Sequence, residues 1–287
     1  MTDERNAYDI EEPGVVAFSG GRTSGYLLRK VLDAKGGQPD DLVISFQNTG
    51  LEHEKTLEFV RDCEERWELD IKWLEYKTED DGSMGFREVN FETASRKGEP
   101  FTDLIKKRQM LPNPIARFCS AELKIRTFRR YIITRDGWED GWTTAVGLRA
   151  DEPHRAVRIK GDIAREEVVC PLYLAGVVEK DVLDFWSEQS FDLDLPIVGN
   201  MAGNCVGCFL KSRAKIESLM RTMPEEFDWW IKAEELAPSL DKTNTERSKK
   251  FRKDRPSYAD FMDLTKKQTL LFDPYENDES IPCLCTD

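Results

Sequence analysis

The stretch VVAFSGGRTSG, residues 15–25, constrains the fold of this chain more than any other. It begins with an apolar, β-rich run that is typical of a strand buried in a parallel sheet. Gly20 and Gly21 then allow a tight turn and a close approach of the backbone to a ligand. The helix expected next begins with free N–H groups and a positive dipole end, which favour a phosphate or sulfate. The residues predicted to bind such an anion are Ser19, Gly20, Gly21, Arg22, Thr23 and Ser24.

The residues after this turn predict a complete strand–helix–strand unit. Gly36 and Gly37 end the helix, and residues 42–46 form a second apolar run. Such a unit is the setting in which turns of this kind bind nucleotide phosphates. The alternative is an ordinary strand-to-helix turn, which this setting disfavours. The second run leads into the polar sequence NTGLE, residues 48–52, and then into another helix.

At this point the chain resembles a known family. Ser-Gly-Gly-x-Thr-Ser, with Asn-Thr-Gly-x-Glu-x-x-x-Thr-x-x-Phe one strand later, is similar to the PP-loop family of phosphoadenosine phosphosulfate (PAPS) reductases and their ATP-pyrophosphatase relatives. The resemblance spans roughly residues 14–210. The second motif consists of Asn48, Thr49, Gly50, Glu52, Thr56 and Phe59; further matches are Arg117, Cys119, Leu123 and Lys124, then Gly147, Arg149 and Glu152.

The resemblance implies the fold and the nucleotide site. We expect an α/β doubly wound parallel sheet of the adenine nucleotide α-hydrolase-like kind in residues 1–200, and a smaller helical, cysteine-bearing part in residues 201–287. Residues 79–100 have little periodicity and predict a long, mobile connection. Further strands are expected at residues 143–148 and 168–172. The nucleotide is expected to contact the turn, Asn48, Thr49, Gly50, Glu52, Gly147 and Arg149.

Composition restricts the partners. The formal net charge of −13 disfavours nucleic acid as a partner unless a local basic surface exists. No apolar run approaches the ~20 residues that span a bilayer. The first six residues are polar and acidic, unlike a secretory signal. With seven cysteines, the chain is expected in a reducing cytoplasm, where clustered cysteines indicate metal or thiol chemistry. A homodimer is compatible with the sequence.

The cysteines leave three interpretations open: an iron–sulfur cluster, structural zinc, or free redox thiols. Some PAPS and APS reductases hold a [4Fe–4S] cluster on a Cys-Cys pair and a distant Cys-x-x-Cys. Here Ser120 stands where the second cysteine of the pair would be, so the tail must supply the fourth ligand. The resemblance thus implies a cluster on Cys119, Cys205, Cys208 and either Cys283 or Cys285.

The expected activity is reduction of the activated sulfate of PAPS, or of another adenine nucleotide sulfate, to sulfite. The resemblance implies that Cys283 or Cys285 attacks the sulfur, and that a thioredoxin-like or glutathione-type thiol releases the product; the usual Glu-Cys-Gly tail motif is absent. Lys124 and Arg149 are expected to neutralise the negative charge of the bound sulfate or phosphate oxygens. The cations predicted near the pocket, which favour a 3′-phosphate, are Lys124, Arg126, Arg149, Arg155 and Arg158.

Two other function classes stay open. One is an ATP-using sulfurtransferase or base-modifying enzyme, which would also need magnesium. Thr23 stands where the ATP-pyrophosphatase loop carries an aspartate, and this favours the reductase. The other is a nucleotide- and cluster-binding sensor without catalysis.

Overall fold

A six-stranded sheet forms the centre of the fold. The computed structural model describes residues 6–157, 159, 164–196, 201–240, 249–267 and 280–281. Its strands are β1 (Gly14–Ala17), β2 (Leu42–Gln47), β3 (Ile71–Thr78), β4 (Met84–Val89), β5 (Trp142–Val146) and β6 (Glu166–Val169). They are ordered β4-β3-β2-β1-β5-β6, and all neighbours are parallel except β3 and β4. This is an α/β sheet, with the predicted glycine turn at the carboxyl end of its central strand β1.

Helices lie between the strands along the chain, and further helices come after the last strand. They are α1 (Arg22–Lys35), α2 (Glu54–Arg66), α3 (Glu99–Arg108), a π-helix (Ser120–Arg126), α4 (Thr127–Ile132), α5 (Pro153–Ala156), α6 (Pro171–Leu174), α7 (Glu179–Ser187), α8 (Arg213–Thr222), a 3₁₀-helix (Pro224–Phe227), α9 (Asp228–Leu240) and α10 (Tyr258–Lys267). Among the helices described, none is both long and apolar enough to cross a membrane.

The sheet is covered on both faces because alternate side chains of each strand point to opposite sides. Val16 and Ile44 lie in one buried cluster, which contains the apolar faces of α1 and α2. Val15 and Val43 lie in another cluster, with Phe128 and other residues of α4. Two-sided burial explains why these strands read as continuous apolar runs in the sequence.

The C-terminal helices pack beside the sheet rather than apart from it. Side chains of α8, α9 and α10 share one buried cluster with α3 and with Leu51, which follows β2. The boundary between residues 200 and 201 stays a prediction of the sequence.

The prediction of a long, mobile connection over residues 79–100 is wrong for its central part. Residues 84–89 form β4, which pairs antiparallel with β3 in a hairpin. Arg87 lies opposite Glu75 and donates to its fully buried carboxylate at 2.6 and 2.9 Å. Phe86 packs edge-on against Tyr131 of α4. Residues distant in the sequence therefore stabilise β4. The local periodicity of the sequence gives no indication of such contacts.

The last predicted strand is displaced toward the N-terminus. β6 ends at Val169, and Pro171 begins α6, because proline suits the first turn of a helix, where its missing N–H would have no intrahelical partner. In α7, Val182 and Trp186 are buried, whereas Leu183 is 49% exposed.

Candidate functional site

The turn between β1 and α1 is closed by its own hydroxyl groups. The Ser24 hydroxyl lies 2.9 Å from that of Ser19 and donates to the Gly21 carbonyl at 3.0 Å. Gly20 has a φ of +78°, and a β-carbon there would lie 2.7 Å from Cγ2 of Thr56. Glycine is therefore needed at position 20 both for the backbone conformation and for the contact with α2.

The other two predicted residues of the turn have partners from distant parts of the chain. Arg22 donates to the Asp192 carboxylate at 2.7 and 2.8 Å and to the Leu193 carbonyl at 2.6 Å. Thr23 Oγ1 accepts from Nη1 of Arg149 at 3.0 Å. Arg22 thus fastens a distant segment to α1, while Thr23 and Arg149 meet at the turn.

The carboxyl end of β5 passes close to the start of α1. A β-carbon at Gly147 would lie 3.1 Å from Cα of Ser24, so glycine permits this approach. Arg149 also donates from Nε to Asp151 at 2.9 Å. The structure thus brings Gly147 and Arg149 to the turn, with a carboxylate beside the guanidinium.

Asn48, by contrast, uses its side chain for hydrogen bonds inside the protein. Its Nδ2 donates to Glu75 at 2.6 Å and to the Ser95 carbonyl at 2.8 Å, and its Oδ1 accepts from the Gly50 N–H at 3.1 Å. Asn48 is fully buried. It therefore shapes the loop after β2.

The same loop holds the Cys-x-x-Cys segment. Glu52 accepts from the N–H and the hydroxyl of Thr49, and that hydroxyl lies 3.3 Å from Sγ of Cys205. The Val206 N–H donates to the Leu51 carbonyl at 3.0 Å, and Glu52 forms a β-bridge with Cys205. The two motifs, 156 residues apart, are thus one local structure.

Three of the predicted metal ligands line one cavity of about 340 Å³, here called the cysteine cavity. They are Cys119, Cys205 and Cys208. Burial raises the pKa of the Cys205 thiol well above its usual range. Within the described ranges, no group of three or more His, Cys, Asp or Glu side chains is arranged to hold a metal ion. Cys283 and Cys285 lie outside the described residues.

The start of the tail reaches this cavity. Ile281 lines it and donates its N–H to the Leu210 carbonyl at 2.8 Å, and Ser280 accepts from the Ser212 N–H at 2.9 Å. Cys283 follows two residues after Ile281 in the sequence.

A second cavity, of about 300 Å³, opens at the carboxyl ends of β1, β5 and β6; we call it the sheet-edge cavity. Its lining is mostly apolar, with Gln47, Arg117 and Arg129 among its polar residues. Ser120 and Lys124 line both cavities and so form a shared wall. Carboxyl ends of parallel strands are where open α/β sheets bind ligands.

The shared wall belongs to the π-helix, whose buried carboxylate the sequence analysis missed. Glu122 accepts from Arg108, from Arg126 at 2.6 Å and from Arg130 at 2.9 Å. Burial alone would raise the pKa of Glu122, but these hydrogen bonds lower it overall. The spacing of Glu122 from Arg126 and Arg130, at i+4 and i+8, was the available signal. π-helical turns occur frequently at functional sites.

The cations predicted to hold phosphates have carboxylate partners within the protein. Arg126 pairs with Glu122, and Arg155 donates to Glu152. Arg158 lies outside the described residues. Carboxylates of the chain therefore offset part of the positive charge of Arg126 and Arg155, and binding of an anion by these cations stays a prediction.

One polar atom beside the turn has no such partner. The Thr56 hydroxyl is buried and lacks a hydrogen-bond partner in the described structure. Thr56 lines a small cavity together with Ser19, Gly20, Gly21 and Asn204. In the sequence, the only indication of a role for Thr56 is that it belongs to the second motif.

A hollow of about 900 Å³, larger than the two cavities above, lies at the opposite edge of the sheet. It borders the starts of β2 and β3 and contains no cysteine. Its charged residues include the Arg29–Asp33 and Lys72–Asp70 ion pairs. The chemistry-bearing motifs therefore meet at the carboxyl edge instead.

Comparison with known proteins gives relatives but no activity. No protein-family model matches the chain. Over 149 residues, 52% of this chain, it is 30% identical to the uncharacterized protein MJ0066 of Methanocaldococcus jannaschii, of which it spans only 25%. Over 207 residues it is 33% identical to the uncharacterized nin region protein ORF290 of Escherichia phage lambda, covering 70% of this chain and 67% of that protein. The chain belongs to the family of that phage lambda protein.

Proposed function

We propose that this protein is a PP-loop oxidoreductase similar to PAPS reductases, which binds an adenine nucleotide sulfate and reduces its sulfate to sulfite. The observation that carries the proposal is the shared wall. A nucleotide-sized cavity at the carboxyl edge and a cysteine-lined cavity meet at Ser120 and Lys124. Because the two cavities adjoin at these residues, a nucleotide bound in the sheet-edge cavity would lie next to the cysteine cavity.

In the nucleotide part of the proposal, the base occupies the sheet-edge cavity and the anionic end lies at the turn. Phe18, Ile125 and Phe128 line that cavity and suit an aromatic base. Thr56 offers a buried, unpartnered hydroxyl beside Gly20 and Gly21, which suits an anion oxygen.

The donor set of the cysteine cavity fits a thiolate-bound metal group in its chemistry, since soft thiolates select zinc or iron–sulfur clusters. We propose a [4Fe–4S] cluster on Cys119, Cys205, Cys208 and Cys283. Cys283 is chosen because it follows Ile281, which lines the cavity, by two residues, and two residues of chain span at most ~7 Å. A bound cluster would supply a redox-active, charge-delocalising group there.

In the proposed reaction, the thiolate of Cys285 attacks the sulfur of the activated sulfate. A Cys–S–SO₃⁻ thiosulfonate forms as the S–O bond to the nucleotide breaks, and the nucleoside bisphosphate leaves with the electron pair. A thioredoxin-like dithiol then attacks Cys285 Sγ, releases sulfite and is oxidised to a disulfide. Lys124 and Arg149 neutralise the anion during the first step.

A second candidate, an ATP-dependent sulfurtransferase, is favoured by one observation. Arg149 and Arg155 are already balanced by Asp151 and Glu152, so less positive charge is left for a 3′-phosphate than the sequence indicates. That enzyme would use magnesium with its ATP.

Competition calorimetry tests the choice. We expect adenosine 3′,5′-bisphosphate to bind more tightly than ATP with magnesium, and anaerobically purified protein to contain iron and acid-labile sulfide. Sulfite release from PAPS with a dithiol should disappear in a Cys285→Ser variant. Tighter ATP binding with pyrophosphate release would refute the reductase, and colourless protein with one zinc would refute the cluster.

A further inference from the structure

One segment of this acidic protein is strongly basic. Residues 106–135 carry a formal charge of +8, while the whole chain carries −13. The segment comprises the last residues of α3, the loop after it, the π-helix and α4. Its single acidic residue is Glu122, and its cations are Lys106, Lys107, Arg108, Arg117, Lys124, Arg126, Arg129, Arg130 and Arg135. The chain therefore contains a concentrated basic region of the kind that a polyanionic partner requires.

The fold draws three of these cations together around one carboxylate. Arg108, Arg126 and Arg130 come from α3, the π-helix and α4, and all three donate to Glu122. Three positive charges against one negative charge leave this cluster with a formal charge of +2. A guanidinium has five N–H bonds, whereas a carboxylate accepts about four hydrogen bonds. The donors therefore outnumber the acceptor sites of Glu122, and Nη1 of Arg130 is buried without a partner in the described structure.

Part of this surplus charge faces the surface. The side chains of Arg108 and Arg126 are 35% and 53% exposed. Lys107, beside Arg108 in the sequence, is also exposed. We call the surface formed by these three side chains the basic face. It ends at the turn between β3 and β4, where Lys107 donates to the Gly82 carbonyl next to the acidic Asp81.

The chemistry of the basic face favours the phosphate backbone of a nucleic acid. Guanidinium forks match pairs of phosphate oxygens. The Arg108 guanidinium also lies over the Phe118 ring, 5.7 Å from its centroid, and arginines and aromatic rings together form the platforms on which unpaired bases stack. A membrane surface would require a contiguous apolar face. The large exposed hydrophobic residues of this segment, Ile115 and Ile133, lie instead on separate elements.

We infer that single-stranded nucleic acid binds the basic face, with Arg108 and Arg126 each contacting a phosphate group. This inference goes beyond the proposed function and does not depend on it. The π-helix that carries Arg126 also carries Ser120 and Lys124, which line both cavities. A strand bound on the basic face therefore lies beside the candidate site.

Fluorescence anisotropy with labelled single-stranded DNA of mixed sequence tests the inference. Wild type should bind, and its affinity should decrease as the salt concentration rises, because phosphate contacts release counterions. Each lost phosphate contact reduces the slope of log K against log salt by about 0.7, and the affinity at about 0.1 M salt roughly fivefold. Arg126→Gln and Arg108→Gln should each show this change, and the double variant should show twice the change in slope.

Arg213→Gln is the matched control for Arg126→Gln. Arg213 and Arg126 each lie four residues from a glutamate partner, and their side chains are 50% and 53% exposed. Arg213 lies on α8, outside the basic segment, so its variant should bind DNA like wild type. Melting curves for every variant check that it is folded. Equal losses of affinity in Arg126→Gln and Arg213→Gln would refute the basic face, because they would show a general effect of net charge.

Two parallel titrations of wild type separate the remaining outcomes. Binding of phosphatidylserine vesicles without binding of DNA would assign the face to a membrane and overturn the inference. Adenosine 3′,5′-bisphosphate is titrated by calorimetry. Binding of DNA without binding of this nucleotide would refute the proposed function alone, whereas binding of the nucleotide without binding of DNA would refute the inference alone.

Discussion

Replacement of Glu122 by glutamine is the sharpest test of how the shared wall is held. The side chain of Glu122 is 1% exposed and accepts hydrogen bonds from Arg108, Arg126 and Arg130. Glutamine keeps the shape but removes the negative charge, and it turns an amide group toward one of these cations. The π-helix that carries Ser120 and Lys124 would then surround an uncompensated positive cluster.

The exposure of the arginines sets the magnitude. Breaking a buried ion pair by removing one partner costs ~3–5 kcal/mol. Here the arginine side chains are 35%, 53% and 22% exposed, so water takes over part of the lost interaction. We therefore expect a loss of about 2–3 kcal/mol in the free energy of unfolding at pH 7, after discounting for solvent screening. For a chain of this size that is roughly a 3–5 °C decrease in Tm.

The pH dependence gives an independent check. The pKa of Glu122 is lowered in the fold, so its contribution is present above the unfolded pKa of ~4.3 and is lost as the pH falls through the folded value. The difference in Tm between wild type and Glu122→Gln should therefore be full at pH 7 and shrink below about pH 4. Asp184→Asn is the control, because its ion pair with Lys180 is exposed. A decrease in Tm at pH 7 no larger than that of the control would refute the reasoning.

Two further predictions concern the turn and the cysteine cavity. Gly20→Ala should lower Tm and abolish nucleotide binding in calorimetry, because φ is +78° and the methyl group meets Thr56; Gly36→Ala, with φ of +73° and open space around it, carries the backbone strain alone and should retain binding. In chelator-treated protein, the raised pKa of Cys205 means that its thiol stabilises the fold below the unfolded pKa of ~8.5 and that this contribution is lost as the pH rises. Thermal melts from pH 8 to 10 should therefore fall more steeply for wild type than for Cys205→Ser, and equal slopes would contradict the assignment.

Local pattern predicted the parts of the fold that are governed by local rules. The runs at residues 15–18 and 42–46, the glycine turn and the helices after them require only backbone preferences and two-sided burial. The antiparallel strand β4 escaped prediction because Arg87 is held there by Glu75, and a buried ion pair leaves no periodic signal.

At the site, the sequence predicted which residues come together but not the atoms to which each one is hydrogen-bonded. Cys119, Cys205 and Cys208 line one cavity, and Gly147 and Arg149 reach the turn. Asn48, however, is committed to the interior, and Arg22 to Asp192. A motif shows which residue types occur together, whereas the atom that each one contacts depends on segments as distant as residue 192.

The position of Ser120 and Lys124 between the two cavities has a consequence for how ligands influence each other. Both side chains belong to the π-helix, whose buried carboxylate Glu122 is held by Arg130 and two further arginines, so a shift of this helix would change both cavities. A ligand that prefers one position of this wall on the sheet side must change the affinity for any ligand on the cysteine side. Thermodynamics makes that effect mutual and equal in free energy. Occupancy of the cysteine cavity is thus expected to set the nucleotide affinity, and nucleotide to set how firmly the cysteine side holds its own ligand.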